Sequence, residues 1–528
     1  MNIVESMMGS IYFVVAFSLA VSLLVRFVSC SLSFGWFSRG FAGDSSVHLQ
    51  IIKQIKRGWG ARAVENYVIP NKMSYPVLFH RLCAFFPIQF LKSYSYLPNL
   101  LVYAVSFATF VFFSFYCQEE FFPATDSVLL SGCLLAHLFC VQNLVTAGPA
   151  IAYLKLSSRF LAKIACSFFV LFLFIHLEFH LEAGLYLASF FAAIGILSGT
   201  FAAQLLLFFA LFFFLITGCS EVISSLALGV LLSVVFSKGY SLRSLLGMVR
   251  YWRIYFLRVR KSRYTAPVLS SLVSLPDLFR NLLSGRFQIF AKQLYKREPT
   301  RAILHYPEIL LALYFLFFTD HEFVFLSGVY LAVLLAYLLT STKVFNFLGE
   351  SYRYLEYGLF FLNPLALAFL IGSHYGTKTG LFIMGGCAAY GICSSLLINR
   401  LCGHSHVSGR DNLSDFLCRL KITPSDVVFP VSMRLGADIV ARVGCRSFWW
   451  QPGGITELSM YDDYLHEYPY LSLDWKKLCD RHQVDYVIVD KTALAKFLDV
   501  YNFKSLSLEL EDENYLAYRY PVNSSALI

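Results

Sequence analysis

The residues best suited to chemistry sit at the edges of apolar stretches. Gly43-Asp44-Ser45-Ser46-Val47-His48 follows the first apolar span, and Tyr75-Pro76-Val77-Leu78-Phe79-His80-Arg81 lies further along the same connection. Asp44 is a carboxylate able to take up a proton. His48 lies one helical turn on, on the same helix face, where it can tune that carboxylate or touch an anion. His80 and Arg81 open a short apolar stretch, Leu82 to Leu91, suited to dip into the membrane. Two arginines add the ability to hold phosphate oxygens in bidentate fashion while staying charged at any working pH. They are Arg159, after Leu156-Ser157-Ser158, and Arg353, within Gly349-Glu350-Ser351-Tyr352-Arg353-Tyr354-Leu355-Glu356. Glu350, Tyr354 and Glu356 give Arg353 more polar company than a simple turn needs. Each residue also has a plainer role. Asp44 would N-cap a surface helix beginning at Ser45, His48 and His80 would be interfacial polar groups, and the arginines would snorkel to lipid head groups. Polar groups kept at a membrane boundary are costly enough to suggest function.

The elements that must position these residues are largely apolar. Of 528 residues, 57% are hydrophobic and only 14% charged, against about 25% charged in soluble domains. Uncharged runs such as Ile11 to Val25 and Ala202 to Ile216 indicate an integral, multi-pass membrane protein. The formal net charge of +10 resides in the membrane portion, which points to anionic lipid head groups or a phosphate-bearing substrate. Nucleic acid is excluded as a partner because no basic soluble module exists to carry it.

Hydropathy places about eleven spans, near residues 10–30, 97–116, 127–148, 161–179, 182–198, 201–218, 222–237, 303–319, 322–341, 356–372 and 379–398. The first is read as a retained helix rather than a signal peptide. Tight joins at Ser198-Gly199-Thr200 and Asp320-His321 imply adjacent antiparallel helices. Connections 31–96 and 238–302 are long and carry amphipathic patches, for example Leu245, Val249, Trp252 and Phe256, of a kind that lies on a bilayer surface. After Arg400 the pattern changes to a small α/β domain. It has strands at Asp426 to Pro430, Cys445 to Trp450 and Val484 to Val489, helices at Met433 to Val443, Trp475 to His482 and Thr492 to Leu498, and a hairpin of Ser505 to Leu510 with Tyr515 to Tyr520. The expected domains are thus 1–400 and 401–528. Counting spans from a cytoplasmic N-terminus puts both long connections and the tail on the outer face, although the basic 238–302 segment argues for the inside. The count is preferred because the charge rule weakens for loops this long.

This layout, with Gly43-Asp44-x3-His48, Tyr75-Pro76-x3-His80, Leu156-Ser-Ser-Arg159, Gly349 to Glu356 and Val484-Asp485-Tyr486-Val-Ile-Val-Asp490, resembles the GT-C superfamily of membrane glycosyltransferases, which use polyprenyl-phosphate-linked sugars. The resemblance implies an inverting glycosyltransferase in a bacterial inner or plasma membrane. It would move a sugar from a polyprenyl-phosphate donor to a lipid-linked, glycan or protein acceptor. It implies Asp44 as catalytic base with His48 beside it, and Arg159, Arg353, Tyr354, Glu350, Glu356, His80 and Arg81 around the substrate. The first loop has no Asp-x-Asp, so a divalent metal of the oligosaccharyltransferase type is not carried over and no cofactor is expected.

Other groupings are weaker. His176-Leu-Glu178-Phe-His180 and Cys402-Gly-His404-Ser-His406 lack a full ligand set. Trp449-Trp450-Gln451-Pro452 can stack on a sugar or fill a core. Cys402, Cys418, Cys445 and Cys479 would pair only in an oxidising compartment. Two alternatives share parts of the layout. A transporter or flippase would need a polar pathway and paired repeats, and no repeat is seen. An O-antigen polymerase or ligase would lack an essential first-loop carboxylate.

Overall fold

The computed structural model describes residues 16–17, 19–21, 23–25, 44–58, 66–69, 75–121, 126–140, 156–259, 275–296, 304–318, 323–342, 344–402, 412–449, 458–467, 470–491, 501, 503 and 505–521. It divides into two compact units. One holds Met1–Ser38, Tyr96–Ser241 and Leu269–Val407, and the other Arg39–Ser95, Leu242–Val268 and Ser408–Ile528.

The first unit is helical. Four helices are long and apolar enough to cross a membrane: Leu97–Glu120, Arg159–Phe179, Thr200–Thr217 and Thr377–Leu397. Two bent pairs pass the same test: Tyr352–Leu359 with Leu362–His374 (69°) in this unit, and Glu221–Phe236 with Tyr240–Leu257, which from Leu242 on belongs to the second unit. Shorter apolar helices run over Ser127–Leu138, Glu182–Ser198, Pro307–Phe318 and Val324–Thr340. These helices coincide with ten of the expected spans, but by length and composition only four to six described helices qualify as crossings. The expected span near 10–30 and the join at Asp320-His321 lie largely outside the described residues.

Arg159–Phe179 is the hub. Nearly every residue from Phe160 to Leu177 is buried, and it packs against Glu182–Ser198 and Tyr352–Leu359. Glu182–Ser198 in turn meets Glu221–Phe236 through small residues. Gly229 sits on Ala192 and the Ser189 carbonyl, and the Ser189 and Ser225 hydroxyls bond at 3.1 Å. Such surfaces let helix backbones approach closely where apolar burial gives little advantage. The outer helices keep apolar stripes exposed. On Leu97–Phe121, Leu101, Val105, Phe112 and Tyr116 face outward while Tyr103, Phe107, Phe110 and Phe115 are buried, as suits a lipid-facing helix.

The second unit is built on a five-stranded sheet. Its strands are β1 (Val427–Pro430), β2 (Arg446–Ser447), β5 (Tyr486–Asp490), β6 (Ser507–Glu511) and β7 (Tyr515–Arg519), in the order β2-β1-β5-β7-β6, while β3 (Leu465–Glu467) and β4 (Tyr470–Leu471) pair separately. β1 runs parallel to β2 and β5, and β7 is antiparallel to β5 and β6. The strands Val427–Pro430 and Tyr486–Asp490, the helices Met433–Val443 and Trp475–His482 and the hairpin match the sequence reading, whereas the strand expected over Cys445 to Trp450 is confined to Arg446–Ser447 among the described residues. The expected helix at Thr492 to Leu498 lies outside the described residues.

The first connection joins this sheet. Tyr67 forms a parallel bridge with Ser447. The Val68 amide donates to the Ser447 carbonyl at 2.9 Å, and the Ser447 amide donates to the Asn66 carbonyl at 2.9 Å. Asn66 Nδ2 also donates to the Gly444 carbonyl at 2.5 Å. Val68 and Ile69 enter the tail's apolar core beside Val427, Phe429, Phe448 and Val487, as do Ile254 and Val259 from the second connection. Of the two segments expected on a bilayer surface, the first lies against the tail helix, while the second keeps the apolar residues Leu242, Leu246 and Val249 exposed. Asp44–Lys56 packs on Met433–Val443 with Ser45 to Ile52 all buried. On Tyr240–Leu257 the buried residues are Ser241, Ser244, Gly247, Met248 and Ile254, with Leu245, Trp252 and Phe256 half-buried and Val249 exposed. Arg258, one of the basic residues of that connection, donates to both Asp462 oxygens at 2.7 Å.

Gly436 marks the closest approach of Met433–Val443 to the end of β2. A Cβ there would lie 2.1 Å from the Phe448 carbonyl oxygen, and backbone cannot swing aside. Gly436→Ala should destabilise this unit by ~1–3 kcal/mol, read as a lower unfolding midpoint and faster proteolysis of the tail. An unchanged midpoint would contradict this packing.

Candidate functional site

In the second unit the first connection is described as a helix from Asp44 to Lys56, so Asp44 lies within the helix rather than before it. Ser46, buried, donates from Oγ to Asp438 Oδ1 of the tail helix at 2.6 Å. His48, one turn further, does not stand alone. Its Nδ1 lies 2.7 Å from His80 Nε2, and the rings stack with centroids 4.9 Å apart. Tyr75 and Phe79 close edge-on around His48. The sequence offered these histidines as separate candidates, and the fold brings them together. One ring must donate and the other accept, so the pair is stable only while at least one ring is neutral. Burial, then the adjacent His48 ring, holds His80 well below the usual histidine range, against the opposing effect of the Pro76 backbone. Arg81 follows directly but is exposed, outside the histidine contact.

In the first unit the two arginine motifs meet. Asn99 Nδ2 donates to the Ser157 carbonyl at 3.2 Å, and the Arg159 amide donates to Ser157 Oγ at 3.3 Å. These bonds fix the entry to the hub helix and leave Arg159 half-buried. Tyr352–Leu359 packs on that helix, and Tyr357 lies within electrostatic reach of Arg353, Glu356 and Arg159 together. Arg353 pairs with Glu350, whose Oε2 also accepts from the Tyr352 hydroxyl at 2.6 Å, and its guanidinium lies 5.4 Å from the Phe201 ring centre. Tyr354 is buried against Phe201 and Phe208.

Glu356 meets a residue that the sequence analysis passed over. Lys163 Nζ donates to Glu356 Oε1 at 2.8 Å, with side-chain exposures of 2% and 4%. Lys163 lies four residues after Arg159, on the same helix face, and its ammonium also sits 3.7 Å over the Phe360 ring. Against the other side of Phe360's surroundings, His137 packs edge-on at 5.0 Å. His137 Nδ1 bonds Glu308 at 3.1 Å, and the Cys140 thiol donates to Glu308 at 2.7 Å. The signal for all of these was present: isolated ionisable residues inside otherwise apolar runs.

The remaining groupings resolve simply. His176 Nδ1 bonds the Leu181 carbonyl at 3.1 Å and His180 is exposed. Among the described residues no three of His, Cys, Asp or Glu gather to hold a metal ion. Cys418, Cys445 and Cys479 are free thiols. Trp449 packs beside Tyr67, while Trp450 to Pro452, His404 and His406 lie outside the described residues.

No family model matches the chain and no curated protein matches its sequence. Solved structures do match its fold. ArnT from Cupriavidus metallidurans, bound to undecaprenyl phosphate, aligns over 96% of this chain and 97% of its own at TM-score 0.53 and 13% identity. At this level of identity the likeness is one of fold. The archaeal oligosaccharyltransferase AglB from Archaeoglobus fulgidus, in complex with an inhibitory peptide and a dolichol-phosphate, aligns over 90% of this chain and 69% of its own at TM-score 0.52 and 14% identity. The same oligosaccharyltransferase in its apo form gives 0.52 and 14%. The expected multi-pass helical architecture with a small C-terminal α/β part thus holds for the fold, and four to six described helices are long and apolar enough to cross a membrane.

Two outcomes follow from the geometry. Lys163→Met leaves Glu356 buried without its partner and should cost about 3–5 kcal/mol, seen as loss of folded protein after extraction, while Lys163→Met combined with Glu356→Leu recovers much of it. If the double variant is no better than the single, the pair is not the source. The histidines give a pH dependence. Because His80's folded pKa lies below its unfolded value of about 6.5, the unfolded chain takes up the proton first. Stability is full above about pH 6.5 and falls as the pH drops below it. His80→Leu should flatten the decline in unfolding midpoint between pH 7 and pH 5, and equal declines in both proteins would exclude the pair.

Proposed function

We propose that this chain is an inverting membrane glycosyltransferase that moves a sugar from a polyprenyl-phosphate donor to a lipid-linked, glycan or protein acceptor. The observation that carries the reading is the meeting of the two arginine motifs on the packed hub helix, where Tyr357 lies within electrostatic reach of Arg353, Glu356 and Arg159 and Glu356 holds Lys163 at 2.8 Å. Three cations against the two carboxylates Glu350 and Glu356 leave positive charge in excess in an apolar setting, which suits an anion that arrives on a greasy tail. The fold supports it, since two solved proteins of that fold hold undecaprenyl phosphate and a dolichol-phosphate.

In this reading the acceptor hydroxyl oxygen attacks the anomeric carbon of the donor. Its proton passes to the Asp44 carboxylate. The bond from the anomeric carbon to the phosphate oxygen breaks on the opposite side, which inverts the centre and releases polyprenyl phosphate. Arg159 and Arg353 hold the phosphate and stabilise the charge it gains. Glu350 orients Arg353, Glu356 holds Lys163 in place, and Tyr354 walls the substrate region. His48 and His80 support the helix that carries Asp44, and Arg81, being exposed, contacts lipid or donor head groups. The C-terminal domain and both long connections face outward, in a bacterial inner or plasma membrane, and no metal takes part.

The test uses purified chain in liposomes with a pool of polyprenyl-phosphate-linked sugars, following release of free polyprenyl phosphate. Asp44→Asn should fold normally and lose kcat by on the order of 10²–10⁴. Arg353→Ala should lose on the order of 10²–10³ in turnover, and Arg353→Lys should not rescue it fully because the bidentate geometry is gone. Normal turnover by Asp44→Asn removes the base, and no release from any donor in the pool removes the reaction.

A further inference from the structure

Asp438 is a carboxylate that belongs to the tail helix Met433–Val443, yet it bonds the first connection. Its Oδ1 accepts the Ser46 hydroxyl at 2.6 Å, and Ser46 has no exposed surface. Ser46 is two residues from Asp44, in the same turn of the helix Asp44–Lys56. The contact is braced from three sides. Arg442, one turn along, places Nη1 3.9 Å from Asp438 Oδ1 and donates to the Asp438 carbonyl at 3.2 Å. Tyr67, which bridges to Ser447 of β2, is buried within electrostatic reach of the same carboxylate, and burial first, then that carboxylate, pushes its phenol upward. The whole face of Asp44–Lys56 then packs on the tail helix.

A hydroxyl-to-carboxylate bond in a water-poor contact is among the more strongly directional a side chain can make. Here it fixes rotation and axial position of one helical turn, and with it the direction of every backbone vector in that turn. We propose that Asp438 is a positioning residue for the proposed transfer reaction, holding through Ser46 the turn from which the Asp44 carboxylate acts. The inference rests on Asp44 being the base. It assigns the C-terminal domain a part in turnover through a contact that neither the sequence pattern nor the shared fold implies.

The experiment compares Asp438→Ala, Asp438→Asn, Ser46→Ala and the Asp438→Ala/Ser46→Ala double variant with the unaltered chain and with Asp44→Asn, all full length and in the same liposomes. Misplacing a reacting group by about 1 Å costs roughly 100-fold. Asp438→Ala and Ser46→Ala should therefore each lower kcat by ~10–100-fold, with KM for the lipid donor unchanged and the double variant no worse than either single one. Asp438→Asn keeps a carbonyl oxygen able to accept the same bond, so it should retain most of the activity. A generally destabilising role would instead lower the amount of folded protein and leave kcat per folded molecule intact. Unaltered kcat in Ser46→Ala, or strictly additive losses in the double variant, overturns the proposal. If Asp44→Asn is active, the failure is in the assignment of the base and not in Asp438.

Discussion

An ammonium and a carboxylate that leave water together must stay together, and the Lys163–Glu356 pair imposes that condition on the membrane helices. Each ion alone would cost several kcal/mol in such surroundings. The two side chains come from different helices and are almost completely enclosed, so the Tyr352–Leu359 helix has little freedom to rotate against the hub. The next residues tighten the constraint. The Phe361 amide donates to Ser167 Oγ of the hub at 2.8 Å, and Phe360 lies under the Lys163 ammonium. The 69° bend before Leu362–His374 is thus held at both of its central residues, and the Glu350–Arg353 pair is displayed from a fixed base. Whether such a pair adds net stability matters less than the register it specifies.

The second unit obeys a different rule. A sheet edge exposes unpaired amides and carbonyls that invite wrong partners. On the β2 side the chain covers this edge with Asn66 to Val68 from the first connection. Among the described residues the opposite edge is β6, which carries Glu509 and Glu511 on its short length, and such charges discourage pairing with another strand. One edge is spent on recruiting a distant segment, and the other is protected by charge.

Much of this was legible in the sequence because hydrophobic periodicity is a local signal. Apolar runs marked the helices of the first unit, and alternation with turn residues marked Met433–Val443, Trp475–His482 and the β6–β7 hairpin within a residue or two. What the pattern missed were partnerships between distant segments. Asp44–Lys56 and Tyr240–Leu257 have amphipathic faces that fit a bilayer surface as well as a protein surface, and only the tail decides between them. The site was partly visible for the same reason. Arg159, Arg353, Glu350 and Glu356 stand at element ends, where polarity draws notice. Lys163 and His137 sit inside apolar runs, where hydropathy averages them away, and the His48–His80 contact joins residues 32 positions apart.

The Ser46–Asp438 bond spans 392 residues of chain. A ribosome making this protein releases the first connection long before the helix that covers it exists, at about 5–20 residues per second. For that interval the apolar face of Asp44–Lys56 has no tail to lie on and must be tolerated by the membrane surface or by a chaperone. The packing of Asp44–Lys56 on Met433–Val443 therefore waits on a helix whose Asp438 is made 392 residues after Ser46.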